Sequence, residues 1–217
     1  MHLEILVEDS SGKALLDSIV PRIVGADQHS FRIHPYRGVG HLPKNLQNTR
    51  HVRSQMLLNH LPRILRGYGR AFQDMSGDSG VVVVLDVDGR NCRDFKADLV
   101  SVADAVAPHL RTLFRIAIEE MEAWLLGDRH AVRQAYPQAR DSVLDRYAQD
   151  DICDTWEVLA DAVYPGGARA LKKLGYPVIG TQKHEWARSI APYLDIEKNA
   201  SPSFQMFRDG LRRMVGT

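Results

Sequence analysis

The sequence has little cysteine, almost no net charge and no long apolar run, and each absence excludes a class of protein. Only two cysteines occur among its 217 residues, and Cys92 and Cys153 lack the spacing of a zinc site. A disulfide scaffold is therefore not expected, which fits a reducing cytoplasm. No apolar run approaches the roughly 20 residues that span a bilayer, and the N-terminus lacks a basic segment followed by an apolar one. We expect a cytoplasmic protein that does not span a membrane.

The charge balance limits the partners that the chain attracts. Its net charge of +1 gives no global basic field, so binding to nucleic acid would depend on a local patch. The arginine-rich segment 43–70 and the C-terminal end are the two candidate patches. Hydrophobic residues make up 44% of the chain and charged residues 25%, as in an ordinary globular protein. The length allows one sizeable domain, or one domain with a small helical addition.

A run of five apolar residues, 81–85, is the strongest single pattern. Such a run is typical of a strand that is buried on both faces of a parallel sheet. Asp86 and Asp88 follow it at the carboxyl end, where ligands bind in open α/β sheets. Their spacing of two places both carboxylates on one side of an extended chain, and carboxylates are preferred ligands of Mg²⁺ and Mn²⁺. The alternative is a turn, since Asp88-Gly89 is a common turn pair.

A second acid stands at the end of the predicted first strand, residues 3–7. Residues 10–12 then form a predicted turn, and apolar residues at helical spacing over 14–20 predict a helix. Glu8 thus has the same position relative to its strand as Asp86. Acids before a helix are also favoured by the helix dipole, so a purely structural role is the alternative.

A third acidic group follows the predicted strand 112–118. Glu119 and Glu122 are three residues apart and share a face if the helix has already begun, whereas Glu120 points elsewhere. Which of the three acids faces a site stays open. Acids from three strand ends can hold one or two Mg²⁺ ions if neighbouring parallel strands bring them together.

The segment between the first and third strands contains a further strand and a loop with two glycines. Residues 31–36 alternate like a second strand, and residues 37–41 form the loop. His34 and His41 are the best candidate histidines for contact with a substrate. The segment 43–70 predicts one or two amphipathic helices that pack on the sheet.

Strands and helices alternate up to residue 128, which predicts an α/β fold with a Rossmann-like, mostly parallel sheet flanked by helices. After a partly looped stretch, a helix is predicted over 98–110. Beyond residue 128 no further strand of comparable strength occurs. We therefore expect 1–128 to form the α/β core and 129–217 to form a helical region packed on it. The predicted C-terminal helices are residues 131–136, 142–149, 155–163, 168–174, 184–193 and 203–215.

Several of these motifs resemble a known family. The segment Ile-Leu-Val-Glu ending at Glu8, and a hydrophobic strand ending in Asp-Val-Asp, are similar to the toprim domain of topoisomerases, bacterial primases and overcoming-lysogenization-defect nucleases. More closely, the chain resembles a toprim-like family of small bacterial proteins of uncharacterised function, several of them found in defence-type loci. The blocks that carry this closer resemblance are IEEMEAWLLGD at 118–128, KHEWA at 183–187 and NASPSF at 199–204.

The resemblance implies a toprim-like fold and assigns roles within a site. It makes Glu8 the general acid or base, Asp86 and Asp88 metal ligands, Glu120 and Glu122 candidate ligands of a second metal, and Lys183 the cation near the scissile phosphate. The chain departs from the family pattern at Asp9, where a glycine usually follows the glutamate, so the turn at Glu8 is expected to differ. Lys183 is predicted to open a helix.

The implied function is a Mg²⁺- or Mn²⁺-dependent phosphodiesterase or nuclease that acts on DNA or RNA, in phage defence with an ATPase partner. The candidate substrate contacts are Arg37, His41 and Arg90. One alternative is a non-catalytic toprim-like module that binds nucleic acid or protein and regulates a partner. Another is a nucleotidyl transferase or a hydrolase of a small phosphate compound. The large aromatic residues Trp124, Trp186 and Phe204 are expected to be core anchors rather than stacking platforms for bases.

Overall fold

The computed structural model describes residues 1–25, 27–43, 46, 55–73, 78–86, 91–118, 120–150 and 154–216. The predicted metal ligand Asp88 and the predicted substrate contact Arg90 lie outside the described residues, as does Glu119. Part of the arginine-rich segment 43–70 lies outside them as well.

The core is a four-stranded sheet in which all strands are parallel. Its strands are β1 His2–Val7, β2 Ser30–Pro35, β3 Ser79–Asp86 and β4 Thr112–Ala117. They lie in the order β2-β1-β3-β4. Val7 of β1 is level with Pro35 of β2 and with Val84 of β3, and Asp86 is level with Ala117. The predicted α/β class, with a Rossmann-like parallel sheet flanked by helices, is therefore confirmed.

Helices connect the strands and make up the C-terminal part of the chain. Those among the described residues are α1 Ser10–Val24, α2 Leu57–Ala71, α3 Cys92–Val106, α4 Glu122–Leu126, α5 Arg129–Ala135, α6 Asp141–Leu144, α7 Thr155–Val163, α8 Gly167–Lys172, α9 Tyr176–Ile190 and α10 Pro202–Val215. A short 3₁₀ turn, Ala191–Tyr193, follows α9. Within the described ranges, no helix has both the length and the apolar character needed to cross a membrane.

The two faces of the sheet carry separate apolar layers, because side chains alternate along each strand. On one face Ile5, Val7 and Val84 pack with α1 and with the C-terminal helices α4 to α10. On the other face Leu6 and other strand residues pack with α2 and α3. Every residue of 81–85 is at most 1% exposed, so the prediction of a strand buried on both faces is confirmed.

Large aromatic rings anchor the C-terminal helices in the core. Trp124, Trp186 and Phe204 are fully buried. The indole N–H of Trp124 donates a hydrogen bond to Oγ of Ser203 at 2.9 Å, and its ring stacks on Phe207 with 4.8 Å between centroids. The expectation that these three rings are core anchors is confirmed, and none of them is exposed to a base.

α1 begins at Ser10, earlier than the predicted start near Ala14, because Asp9 caps it. The Asp9 carboxylate accepts hydrogen bonds from the backbone N–H of Gly12 at 2.7 Å and from the Ser11 hydroxyl at 2.8 Å. These contacts satisfy a donor that the start of a helix leaves open. Asp9, which stands where the toprim pattern has glycine, is therefore a helix cap.

α3 also begins earlier than predicted, at Cys92 rather than at residue 98. The Asn91 side chain accepts hydrogen bonds from the backbone N–H groups of Arg93 and Asp94 at 3.0 and 3.2 Å. The polar stretch before residue 98 is helical because this cap compensates for its low apolar content.

α9 begins at Tyr176, well before the predicted start at residue 184. Gly175 precedes it with a φ of +84°, a conformation that favours glycine. Pro177 stands in the first turn, where its missing N–H leaves no bond unmade. Lys183 consequently lies in the middle of α9, and the prediction that it opens a helix is wrong.

Gly12 allows the first turn of α1 to pack directly on the end of β1. A Cβ atom at this position would lie 2.6 Å from Cγ2 of Val7 and 2.8 Å from Sδ of Met121. Real Cβ atoms do not approach other heavy atoms so closely, so a side chain would force α1 away from β1. Gly12 thereby allows the start of α1 to lie close to the end of β1, next to Glu8.

We expect Gly12→Ala to destabilise the fold by about 1–3 kcal/mol, because the added methyl group meets packed atoms. The matched control is Gly67→Ala in α2, where no neighbouring heavy atom lies within 4 Å of the new Cβ. That change should stabilise the protein by about 0.5–1 kcal/mol by lowering the entropy of the unfolded chain. Urea unfolding of both variants measures the two effects, and equal shifts would contradict the close packing of α1 on β1.

Candidate functional site

The carboxyl ends of β1 and β3 lie where the connections of the sheet diverge. From β1 the chain crosses to β2 on one side, and β3 lies on the other side of β1. Open α/β sheets bind ligands at such a point, because the diverging connections leave a crevice there. Glu8 directly follows β1 and Asp86 is the last residue of β3, so both predicted site residues lie at this crevice.

Asp86 has surroundings that disfavour its charged form. Its Oδ1 atom is buried and accepts no hydrogen bond from the described residues. Burial raises the pKa of Asp86 well above its ordinary value, and the Glu8 carboxylate raises it further. The Lys183 ammonium lowers this pKa, while the carboxylates of Glu122 and Asp9 raise it. Folding thus brings together charged groups from the ends of β1 and β3, the start of α4 and the middle of α9.

Lys183 lies between two acids of the segment that follows β4. Its Nζ atom is 3.1 Å from Oε1 of Glu120 and 3.0 Å from Oε2 of Glu122. The Glu122 side chain is only 4% exposed and that of Lys183 16%. Glu120 and Glu122 therefore both face the site, which the sequence pattern left open.

Glu120 also holds the start of α7. Its Oε2 atom accepts hydrogen bonds from the backbone N–H of Trp156 at 3.0 Å and from the Thr155 hydroxyl at 3.2 Å. Such bonds satisfy donors that the first turn of a helix leaves open. One oxygen of Glu120 is thus bound to α7 and the other to Lys183.

The Lys183–Glu122 pair titrates away from the ordinary values of both groups. Burial raises the pKa of Glu122 to about 7, against the effect of Lys183, which lowers it. Burial by itself would lower the pKa of Lys183, but the carboxylates of Glu122, Glu120 and Asp86 outweigh this effect and raise it. Lys183 therefore stays cationic at neutral pH, and burial makes Glu122 easier to protonate than an exposed glutamate.

Acidic groups outnumber basic ones at the site. Lys183 is the only cation among the described side chains that act most strongly on Asp86, and Glu8, Glu122 and Asp9 all oppose its ionisation. Carboxylates this close cannot all ionise unless protons or a further cation compensate them. Because carboxylates are in excess here, a bound divalent cation would stabilise the site.

The acids at the crevice carry the type of donor atom that Mg²⁺ and Mn²⁺ bind. Both ions prefer carboxylate oxygens, and Oδ1 of Asp86 is a buried acceptor to which the described residues give no donor. Glu8 and Glu122 are the neighbouring acids whose charges reach it. Within the described ranges, no three His, Cys, Asp or Glu side chains form a complete metal-binding group.

An open groove of about 1330 Å³ reaches the crevice from the surface. Glu8 lines this groove and is also the charged group that acts most strongly on Asp86, so it connects the groove with the buried acids. The described lining residues are Glu8, Asp9, Ser10, Pro35, Tyr36, Arg37, Gly38, Gln55, His60, Tyr176, Pro177 and Gly180.

Of the predicted substrate contacts, Arg37 lies in the groove. Its loop is fixed by hydrogen bonds from the backbone N–H of Gly38 to the carbonyl of Glu8 and from that of Arg37 to the carbonyl of Gln55, both 3.0 Å long. His41 is exposed and is not among the described residues that line the groove. Of the two predicted substrate contacts on this loop, Arg37 lines the groove and His41 is absent from the described lining.

His34, the other histidine considered for substrate contact, is paired within the protein. Its Nε2 atom lies 2.5 Å from Oε2 of Glu4, and Nε2 of His2 lies 3.2 Å from the second oxygen. Burial raises the pKa of Glu4, but the hydrogen bonds to His34 and His2 outweigh this effect and lower it overall. His34 is absent from the described lining of the groove.

Sequence reasoning missed most side chains of the groove, His60 and Tyr176 among them. His60 belongs to an amphipathic helical pattern, and Tyr176 stands between Gly175 and Pro177, which is typical of a loop. No local signal marks either residue, because the groove exists only where α2 and α9 flank the end of β1.

Comparison with known proteins gives one match. The family described as Domain of unknown function (DUF4276) matches residues 7–212. The matched region contains every site residue named above, and the chain belongs to this family. No curated protein and no solved structure matches the chain.

In buffer with EDTA, Asp86→Asn should raise the melting temperature at pH 8 by several degrees. For a chain of this size, each kcal/mol of added stability raises the melting temperature by roughly 2–4 °C. The folded pKa of Asp86 is raised, so the stability linked to its proton is present at low pH and is lost as the pH rises through the folded pKa. The difference between variant and wild type should therefore vanish near pH 4. Asp104→Asn, an exposed change in α3, is the matched control. A melting temperature lowered at pH 8 would contradict the repulsion at Asp86.

We expect Lys183→Met to destabilise the protein at neutral pH by about 3–5 kcal/mol, because it leaves buried acids without their cation. Adding Glu122→Gln to this variant should restore part of the loss. The control is Lys172→Met, which removes an exposed pair with Glu157 and should have little effect on stability. Chemical unfolding measures all of these values, and equal losses from both lysine variants would contradict a buried ion pair.

Proposed function

We propose that this member of the DUF4276 family is a phosphodiesterase that depends on Mg²⁺ or Mn²⁺ and cleaves DNA or RNA. The observation that carries the proposal is the buried Oδ1 of Asp86 beside Glu8, at the point where the connections of a parallel sheet diverge. Ligand sites of this fold class lie at that point. The resemblance to toprim nucleases assigns the same two residues to the catalytic site.

In the proposed mechanism, Asp86 and Glu122 would hold the cation. When bound, Mg²⁺ or Mn²⁺ would polarise the phosphate and lower the pKa of a water molecule. Glu8 borders the groove, where water and substrate enter, and takes the proton of the attacking water. Asp88 is the further metal ligand that the toprim resemblance suggests.

Lys183 neutralises the negative charge that develops on the phosphate during cleavage. Its raised pKa keeps the ammonium charged throughout the physiological pH range. Glu120 and Glu122 orient the ammonium by contacts of 3.1 and 3.0 Å. Arg37, on the rigid loop beside Glu8, binds a phosphate next to the scissile one.

One observation favours a second function, a non-catalytic module that binds nucleic acid or protein. The Lys183 ammonium contacts both Glu120 and Glu122, so these acids are compensated without a metal. In that case the groove would bind nucleic acid and no metal would promote cleavage. For either function, the resemblance also suggests a role in phage defence together with an ATPase partner. Co-purification from host cells would test for that partner.

The test is cleavage of labelled single-stranded and duplex DNA and RNA with Mg²⁺ or Mn²⁺, using wild type, Glu8→Ala and Asp86→Asn. We expect cleavage by the wild type and losses of about 10²-fold or more in both variants, as for removal of a general base. Asp104→Asn should retain full activity because residue 104 is exposed on α3. Cleavage that persists in both site variants would contradict the assignment.

Metal binding is measured separately from activity by thermal shift. A divalent cation at 100 times its dissociation constant stabilises the folded protein by about 2.7 kcal/mol. Mn²⁺ should therefore raise the melting temperature of the wild type and of Asp104→Asn, but not of Asp86→Asn. Equal shifts in all three proteins would locate the metal elsewhere.

A further inference from the structure

One wall of the groove has an aromatic ring in an unusual position. Tyr176, the first residue of α9, is 86% exposed and lines the groove. Large aromatic side chains bury most of their surface in ordinary folded cores. An open ring on the wall of this groove therefore offers an exposed π-face to a ligand.

The helix that carries Tyr176 leads from the groove to the acids. Tyr176, Gly180 and Lys183 follow one another at spacings of four and three, so they share one face of α9. Gly180 lines the groove, and no heavy atom lies within 4 Å of the position where its Cβ would be. The seven residue steps from Tyr176 to Lys183 span about 10 Å along the axis. This face thus runs from an exposed ring, past open space, to the ammonium beside the acids.

Arg37 supplies a positive charge to the groove. It lies on the loop that is hydrogen-bonded to the carbonyls of Glu8 and Gln55. His60 of α2 also lines the groove. The groove therefore combines a guanidinium group, an exposed aromatic ring and the carboxylates of Glu8 and Asp9.

We propose that this groove is a subsite for an unpaired nucleotide, so that the preferred substrate is single-stranded nucleic acid or an unpaired end. The base stacks on Tyr176, its phosphate lies against Arg37, and the next phosphodiester lies at Glu8. Only an unpaired base can leave its neighbours to stack on a protein ring, and such stacking strengthens binding by roughly 5- to 150-fold. The inference rests on the proposed function for the chemistry at Glu8, whereas the stacking itself does not need it.

The experiment measures binding in EDTA, where no metal-dependent cleavage takes place. A fluorescein-labelled 20-nucleotide single strand and a duplex of the same sequence are titrated with wild type, Tyr176→Phe, Tyr176→Ala and Tyr193→Ala. Tyr193 is a tyrosine that is 50% exposed beyond the end of α9, and it serves as the matched control. We expect the single strand to bind more tightly than the duplex. Tyr176→Ala should weaken single-strand binding about tenfold, while Tyr176→Phe and Tyr193→Ala should remain close to wild type.

Two further readouts separate stacking from a structural role. A strand with 2-aminopurine should lose fluorescence on binding to wild type and Tyr176→Phe, but not to Tyr176→Ala, because stacking quenches the base. Arg37→Gln should reduce the slope of log affinity against log salt by about 0.7, the value for one phosphate of a single strand. Equal binding of the single strand by wild type and Tyr176→Ala, or preference for the duplex, would overturn the subsite.

The outcomes for the subsite and for the nuclease are distinguishable. If stacking depends on Tyr176 but no metal ion supports cleavage, the subsite proposal stands and the nuclease proposal is rejected. Cleavage by wild type that Tyr176→Ala leaves unchanged on single strands would retain the enzyme and reject the subsite.

Discussion

The repulsion between buried carboxylates at the ends of β1 and β3 is the constraint on which the site depends. Glu8, Glu122 and Asp9 all oppose the ionisation of Asp86, and Lys183 alone among the strongest described contributors favours it. Such an arrangement costs stability in the free protein. A bound divalent cation would remove that cost, which links the stability of the fold to the occupancy of the site.

The fold explains how distant residues meet at this place. Parallel strands β1 and β3 are adjacent, so their carboxyl ends bring Glu8 and Asp86 to one edge. β4 is paired with β3, and the segment that follows it adds Glu120 and Glu122. α9 then packs near the start of α1, where His184 contacts the carbonyl of Ser10 at 3.0 Å. The neighbouring Lys183 lies beside the acids.

The strongest sequence patterns predicted the fold and the acids that lie at the ends of its strands. The apolar run 81–85 indicated a central strand because five apolar residues in sequence are stable only when both faces are covered. Acids after three strands indicated a shared edge for a geometric reason, since parallel strands end together. Helix starts were less predictable, because the caps Asp9 and Asn91 outweigh the apolar periodicity that sets the predicted bounds.

Contacts between distant elements could not be predicted from local patterns. The pairing of Lys183 with Glu120 and Glu122 depends on the path of α9, and the exposure of Tyr176 depends on where that helix begins. The toprim-like relation and the nuclease activity remain proposals, which the convergence of acids supports.

An anomalous difference map from crystals soaked in Mn²⁺ tests most directly whether these acids hold a cation. If Asp86 and Glu122 hold the cation as proposed, a peak should lie in contact with carboxylate oxygens of these two residues. Crystals that are fully accessible to the soak, with Mn²⁺ bound at other sites and no peak between these two residues, would contradict it.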